Sequence, residues 1–219
     1  MSPPVISGAV EGIVDEAVFR RIVLLARAEP GAVYGKNGKP HLLQRLPGYN
    51  NAARFSPWLV LVDLDHDEEC PPPFRASALP VPSALMCFRV AVREVEAWLL
   101  ADFERMAAFL DVDPNWIPRQ PELAADPKRV LIDLAKRSHN RDISRDLVPR
   151  QGSGRTEGPA YASRLVEFAS NTRAGWRPTV AAKSSESLTR CLKCLRLLVR
   201  RVRTTWGTTR SANTACGGA

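Results

Sequence analysis

The sequence lacks a long apolar run and is poor in cysteine and histidine. No stretch approaches the roughly eighteen apolar residues that a membrane span requires, so no membrane association is expected. Five cysteines in 219 residues are few, and odd in number, which excludes a small scaffold held by disulfides. Cys191 and Cys194 form a Cys-x-x-Cys pair, but a structural zinc site needs four ligands and no second pair with suitable spacing exists. Within a helical pattern the two read as small buried side chains. The three histidines, His41, His66 and His139, are scattered. No dinucleotide fingerprint, serine-hydrolase elbow or kinase motif set is present. The opening residues MSPPVISGAVEG show neither a basic leader nor a long apolar core, so a reducing, cytoplasmic setting is expected.

What is present is an ordinary globular mixture, 45% apolar and 25% charged. The net charge of +8 is unevenly spread. Residues 1–118 hold 11 Lys+Arg against 15 Asp+Glu, a net of −4, and residues 119–219 hold 20 against 8, a net of +12. A basic half suits a polyanionic partner such as nucleic acid. The acidic half raises the question of what its carboxylates do.

Apolar, β-branched runs at 3–10 and 58–64 read as buried strands, with further strands at 32–34 and 86–92. Helical spacing marks 15–29 and 93–110, and after Pro121 the pattern is nearly all helix, at about 126–138, 159–171 and 184–203. A weak helical stretch before it is broken at Pro47-Gly48, and the proline-rich residues 68–83 read as an irregular connection. Strands alternating with helices, then helices alone, predict an α/β protein. It has a small, mostly parallel sheet over 1–118, a basic helical extension packed on it over 119–204, and an unstructured tail over 205–219.

In open α/β sheets the chemistry gathers outside the C-terminal ends of the strands. Glu11 ends the first strand, and Asp63 and Asp65 end the long apolar one. Spacing of two on an extended chain turns both aspartates to one side. Carboxylates that meet in one crevice either raise a pKa or recruit a cation, and a hard divalent ion such as Mg²⁺, or Mn²⁺ in its place, takes oxygen ligands and bridges to phosphate. The alternative for each is a helix-capping or solvated turn residue. Asp15 and Glu16 read as charges at the positive end of a helix, and Asp67, Glu68 and Glu69 as a solvated loop.

The segments VEGIVDEAVFRR and LVLVDLDHD resemble the Toprim catalytic fold, in which a glutamate follows the first strand and an Asp-x-Asp follows the third. Glu11, Asp63 and Asp65 occupy those positions. FRVAVREVEAWLLAD, DPKRVLIDLAKRS, LVPRQGSG, GPAYASRLVEF and SSESLTRCL are similar to the prokaryotic family called domain of unknown function 4276, over about residues 5–200. The resemblance implies a Toprim-like fold, a Mg²⁺-dependent nuclease or phosphotransfer activity, and an ATPase partner in defence against phage. It also implies Glu11 as general acid/base or ligand and Asp63 and Asp65 as metal ligands. The proline-laden residues 68–83 depart from the pattern, because a parallel crossover usually needs a helix, and they leave the strand order open.

Glu94 and Glu96 follow the strand at 86–92, and Glu96 is a candidate base or ligand. The other reading is a helix-start carboxylate beside a core Trp98. The two glutamates cannot serve alike on a helix, since i and i+2 diverge. Arg93, Arg150 and Arg155 are candidate phosphate contacts, the last two in the link PRQGSGRTEGP, which also reads as a plain connector. The last helix sets Leu188, Leu192, Leu195 and Val199 on one face and arginines on much of the rest. That basic face suits a nucleic-acid backbone, or the acidic half of the same chain. A non-catalytic binding module built on it is the alternative to an enzyme.

Overall fold

The computed structural model describes residues 2–212, the last eight of them as helical backbone only. The chain runs β1 (Val5–Val10), α1 (Ile13–Leu25), β2 (Glu29–Gly35), α2 (Lys39–Ala52), β3 (Trp58–Asp63), α3 (Pro71–Ala78) and β4 (Met86–Ala91). Then follow α4 (Val95–Leu100), α5 (Phe103–Leu110), α6 (Pro127–Ala135), α7 (Arg141–Leu147), α8 (Tyr161–Ser170), α9 (Pro178–Ala181) and α10 (Glu186–Ala212). The four strands form one parallel sheet in the order β2-β1-β3-β4. This is the expected α/β class, with helices flanking the sheet and a helical C-terminal portion, and it is consistent with a small Toprim-like fold.

The strand run at 58–63 is buried on both faces, which is why it reads as continuous apolar sequence. Leu59 and Leu61 join one apolar cluster with α1, α4, α6, α8 and α10, while Trp58, Val60 and Val62 join a second with α2 and α3. α1 lies close on β1 because residue 8 is glycine: a Cβ there would stand 2.4 Å from the Phe19 ring.

Proline behaves differently here from the sequence expectation. Pro71, Pro72 and Pro73 occupy the first turn of α3, where backbone N–H groups have no helical acceptor and none is lost. The irregular connection expected over 68–83 therefore contains the crossover helix between β3 and β4. Pro47 lies inside α2 without ending it. It is solvent-exposed, and buried Leu42, Leu46 and Tyr49 hold the helix to the sheet. The short strand expected at 32–34 extends over Glu29–Gly35. α7 lies in a stretch that helical spacing did not mark. The tail expected from residue 205 is helical backbone through Ala212, and 213–219 lie outside the described residues.

The helical half shares its core with the sheet. The larger apolar cluster runs without interruption from Ile6 and Val10 through Trp98 to Leu165 and Leu195. Trp98 is the expected core anchor: its Nε1 donates to Ser187 Oγ at 2.6 Å, and its carbonyl accepts from Trp176 Nε1 at 2.9 Å. Asp102, wholly buried, is held by Arg177 at 2.6 Å. Cys194 on α10 is joined to Cys87 on β4 as a disulfide, with the Cα atoms 6.2 Å apart. Of the expected buried thiol pair only Cys191 is a buried free cysteine.

Candidate functional site

With β1 at the centre, the chain runs first to one side, to β2, and then to the other, to β3. The crevice outside the C-terminal ends of β1 and β3 is thus the switch point of the sheet. Glu11 follows β1 directly and Asp63 is the last residue of β3. The Asp63 N–H donates to Glu11 Oε1 at 2.8 Å, and Asp63 Oδ1 accepts from Val95 N–H at the start of α4 at 3.0 Å. Asp15, in the first turn of α1, accepts from Gly12 N–H through Oδ2 at 3.0 Å. Its other oxygen, Oδ1, is buried and has no hydrogen-bond partner. Glu96, on α4 and 6% exposed, accepts from the Tyr161 hydroxyl at 3.2 Å. These four carboxylates, with Lys128, Glu157, Tyr161 and Gly38, line a cleft of about 350 Å³.

The backbone bonds anchor one oxygen of Glu11, Asp15 and Asp63, but they do not offset the burial. Burial pushes Glu11 up to about 7, against the pull of the Asp63 N–H and Lys39. Asp15 is raised to about 7, by burial and then by Glu11. Asp63 lies well above the ordinary carboxylate range, from burial and then from the charges of Asp15, Glu96 and Glu11. Glu96 is raised by burial, with Lys128 opposing. Lys128 in turn is held above its ordinary value: Glu96, Glu94 and Glu157 outweigh its own burial, and Glu157 is 3.7 Å away. The cleft is therefore a concentration of buried carboxyl groups whose pKa values are all raised, with the Lys128 ammonium beside them.

The structure brings together Glu11, Asp63 and Glu96 from the sequence expectation and adds Asp15. Asp65 is not with them. The chain leaves the strand after Asp63, and Asp65 sits at φ +51°, so the alternation that should have turned it toward Asp63 no longer applies. Its carboxylate pairs with Lys39 Nζ at 3.0 Å, and Asp67 takes the same ammonium at 2.6 Å. Arg93, also at positive φ, donates from its guanidinium to the Asp65 carbonyl at 2.7 Å, and its own carbonyl accepts from Asp65 N–H at 2.8 Å. It shapes that loop and does not line the cleft. Glu94 diverges from Glu96 as expected and caps the start of α6, accepting from Lys128 N–H at 3.0 Å. Arg150 and Arg155 are exposed and line a neighbouring hollow with Ser153, Glu157 and Pro159. Glu157 belongs to both hollows, so this loop borders the cleft.

Asp15, Lys128 and Tyr161 were missed as site residues. Asp15 does cap its helix, as expected, and only the tertiary fold makes it part of the cleft lining. Lys128 and Tyr161 stand in DPKRV and GPAY, two of the segments that carry the family resemblance, yet nothing in their spacing pairs them with Glu11. Gly158 sets the turn before Tyr161: a Cβ there would meet the Asp146 carbonyl at 2.3 Å.

All of the cleft's groups that could face a cation are oxygens, which suits a hard divalent ion, and the orphan Asp15 Oδ1 is a buried acceptor without a hydrogen-bond partner. Among the described residues, however, no three Asp, Glu, His or Cys side chains stand as a ready-made ligand set. No helix among the described residues is long and apolar enough to cross a membrane. No family model, curated protein or solved structure matches this chain.

Proposed function

We propose that the chain is a Toprim-like, Mg²⁺-dependent nuclease or phosphotransfer enzyme whose site is the cleft between β1 and β3. The observation that carries this reading is the meeting of Glu11, Asp15, Asp63 and Glu96 at the switch point, with a buried oxygen of Asp15 left unpaired. Asp15 and Asp63 would hold the cation, with Asp15 in the place first expected of Asp65. A bound Mg²⁺ supplies charge neutralisation and polarisation of a phosphate. Glu11, whose oxygen is anchored by the Asp63 N–H, would act either as a further ligand or as the general acid/base, not as both. Lys128 offers an ammonium at the rim to a phosphate oxygen, and Arg150 and Arg155 flank the approach. Tyr161 fixes Glu96.

The test uses the full chain with DNA and RNA substrates, Mg²⁺ or Mn²⁺, and the variants Glu11→Gln and Asp63→Asn. Metal-dependent cleavage that falls at least about a hundredfold in each variant is the expected result. Absence of metal-dependent cleavage on every substrate, or cleavage that survives both substitutions, sinks the reading. A second reading, a binding module for nucleic acid or for a partner such as an ATPase, is favoured by the exposed row Lys193, Arg196 and Arg200 on α10. It requires affinity for DNA or RNA, or for an acidic face of the protein partner, that falls steeply with salt.

A further inference from the structure

The edge strand β4 carries one charged residue, Arg89, flanked by buried Phe88 and Val90. Arg89 lines a cavity of about 350 Å³ at the outer edge of the sheet, between α3 and the start of α10. Arg75 of α3 and Arg190 of α10 line it as well. No residue lines both this cavity and the carboxylate cleft.

The acids around the cavity are engaged elsewhere or exposed. Glu186 pairs with Arg190 one turn along α10. Glu122 caps the head of α10, accepting from Ser185 Oγ at 2.6 Å, Glu186 N–H at 3.0 Å and Ser187 N–H at 3.2 Å. Glu69 is an exposed loop residue. Among the described residues, neither Arg75 nor Arg89 has a carboxylate partner, and the Nε of Arg75 is buried without an acceptor. Burial lowers the Arg89 pKa first, and the charges of Arg75 and Arg190 lower it further against an opposing effect of the Cys191 thiol. Arginine does not give up its proton under such pressure, so two partly buried cations share one hollow and neither is ion-paired with a carboxylate of its lining.

We infer that this cavity binds a small phosphate-bearing molecule, with Arg75 and Arg89 holding the phosphate and Arg190 at the rim. A planar guanidinium fork matches phosphate oxygens in pairs. One phosphomonoester, which carries about −1.5 to −2 at pH 7, offers oxygens to both guanidinium groups that lack an ion-pair partner. The volume lies in the lower part of the small-molecule range and exceeds what a bare phosphate fills, so the class of ligand is a phosphomonoester of nucleotide size.

The experiment titrates the full chain, in EDTA, with inorganic phosphate and with AMP, against chloride at matched ionic strength, by calorimetry and thermal melts. Arg75→Met and Arg89→Met sit on different elements, so one remains informative if the other fails to fold. Glu11→Gln serves as the control for the carboxylate cleft. Saturable binding of AMP or phosphate is expected, weakened at least tenfold in either arginine variant and unchanged in Glu11→Gln. Without anion, Arg89→Met should melt no lower than the native chain. Tighter binding of AMP than of phosphate places the nucleoside in the rest of the cavity, and equal binding overturns the assignment of a nucleotide-sized ligand. No saturable binding of either probe, equal affinity in the arginine variants, or loss in Glu11→Gln alone overturns the assignment.

Discussion

Replacing Glu11 with glutamine should stabilise the protein at alkaline pH and leave it nearly unchanged in acid. The side chain stays the same size, and the amide oxygen can still accept the Asp63 N–H that now bonds Oε1 at 2.8 Å. What disappears is a charge that the fold disfavours. The Glu11 carboxyl moves from 4.5 to about 7 on folding. Between these values the folded chain holds a proton that the unfolded chain has released, so stability falls as pH rises through that window and is flat above it. At 1.36 kcal/mol per unit, the penalty above pH 7 is about 3 kcal/mol, and it shrinks toward zero by about pH 4. For a chain of this size that corresponds to a rise in Tm of roughly 6–12 °C for Glu11→Gln at pH 8. The assay is urea denaturation of both proteins at pH 4, 6 and 8 in EDTA. Because Asp15 and Asp63 share the crowding, removing one charge also relieves the others, which adds to the gain at high pH. A Glu11→Gln variant that is equally stable to the native chain at pH 8, or less stable, refutes the electrostatic account of the cleft.

Two further expectations concern the frame that holds the site. Arg177→Met leaves Asp102 wholly buried and without its guanidinium, and should cost about 3–5 kcal/mol in urea denaturation at pH 7; a loss under about 1 kcal/mol would show that the pair is not a structural tie. Gly8→Ala drives a Cβ to 2.4 Å from the Phe19 ring and should destabilise by about 1–3 kcal/mol. Phe19→Leu made alongside should recover part of that loss, and additive effects of the two substitutions would exclude the clash as its cause.

The legible parts of the fold are those set by local rules. The run 58–63 reads as a strand because both its faces are apolar, and Glu11 and Asp63 read as strand-end carboxylates, while their adjacency waited on the strand order. Proline misled twice in the same direction, each time reading as a break where a helix stands. Its effect depends on whether the missing N–H had an acceptor, and this differs between the first turn of α3 and the exposed side of α2. The disulfide between Cys87 and Cys194, 107 residues apart, left no local trace.

Composition, the strand-to-helix alternation and the carboxylates at the ends of β1 and β3 follow from the order of residues, since each rests on neighbours within a few positions. The split into a −4 half and a +12 half is likewise a property of the chain alone. Which acids meet is not. Asp65 leaves the crevice because one backbone angle turns positive after Asp63. Asp15, Lys128 and Tyr161 enter it because α1, α6 and α8 converge on the sheet through one shared apolar core. Arg75, Arg89 and Arg190 come together only because α3 and α10 pack against the same edge strand. Such meetings are decided by the packing of distant segments, and no periodicity along the chain encodes them.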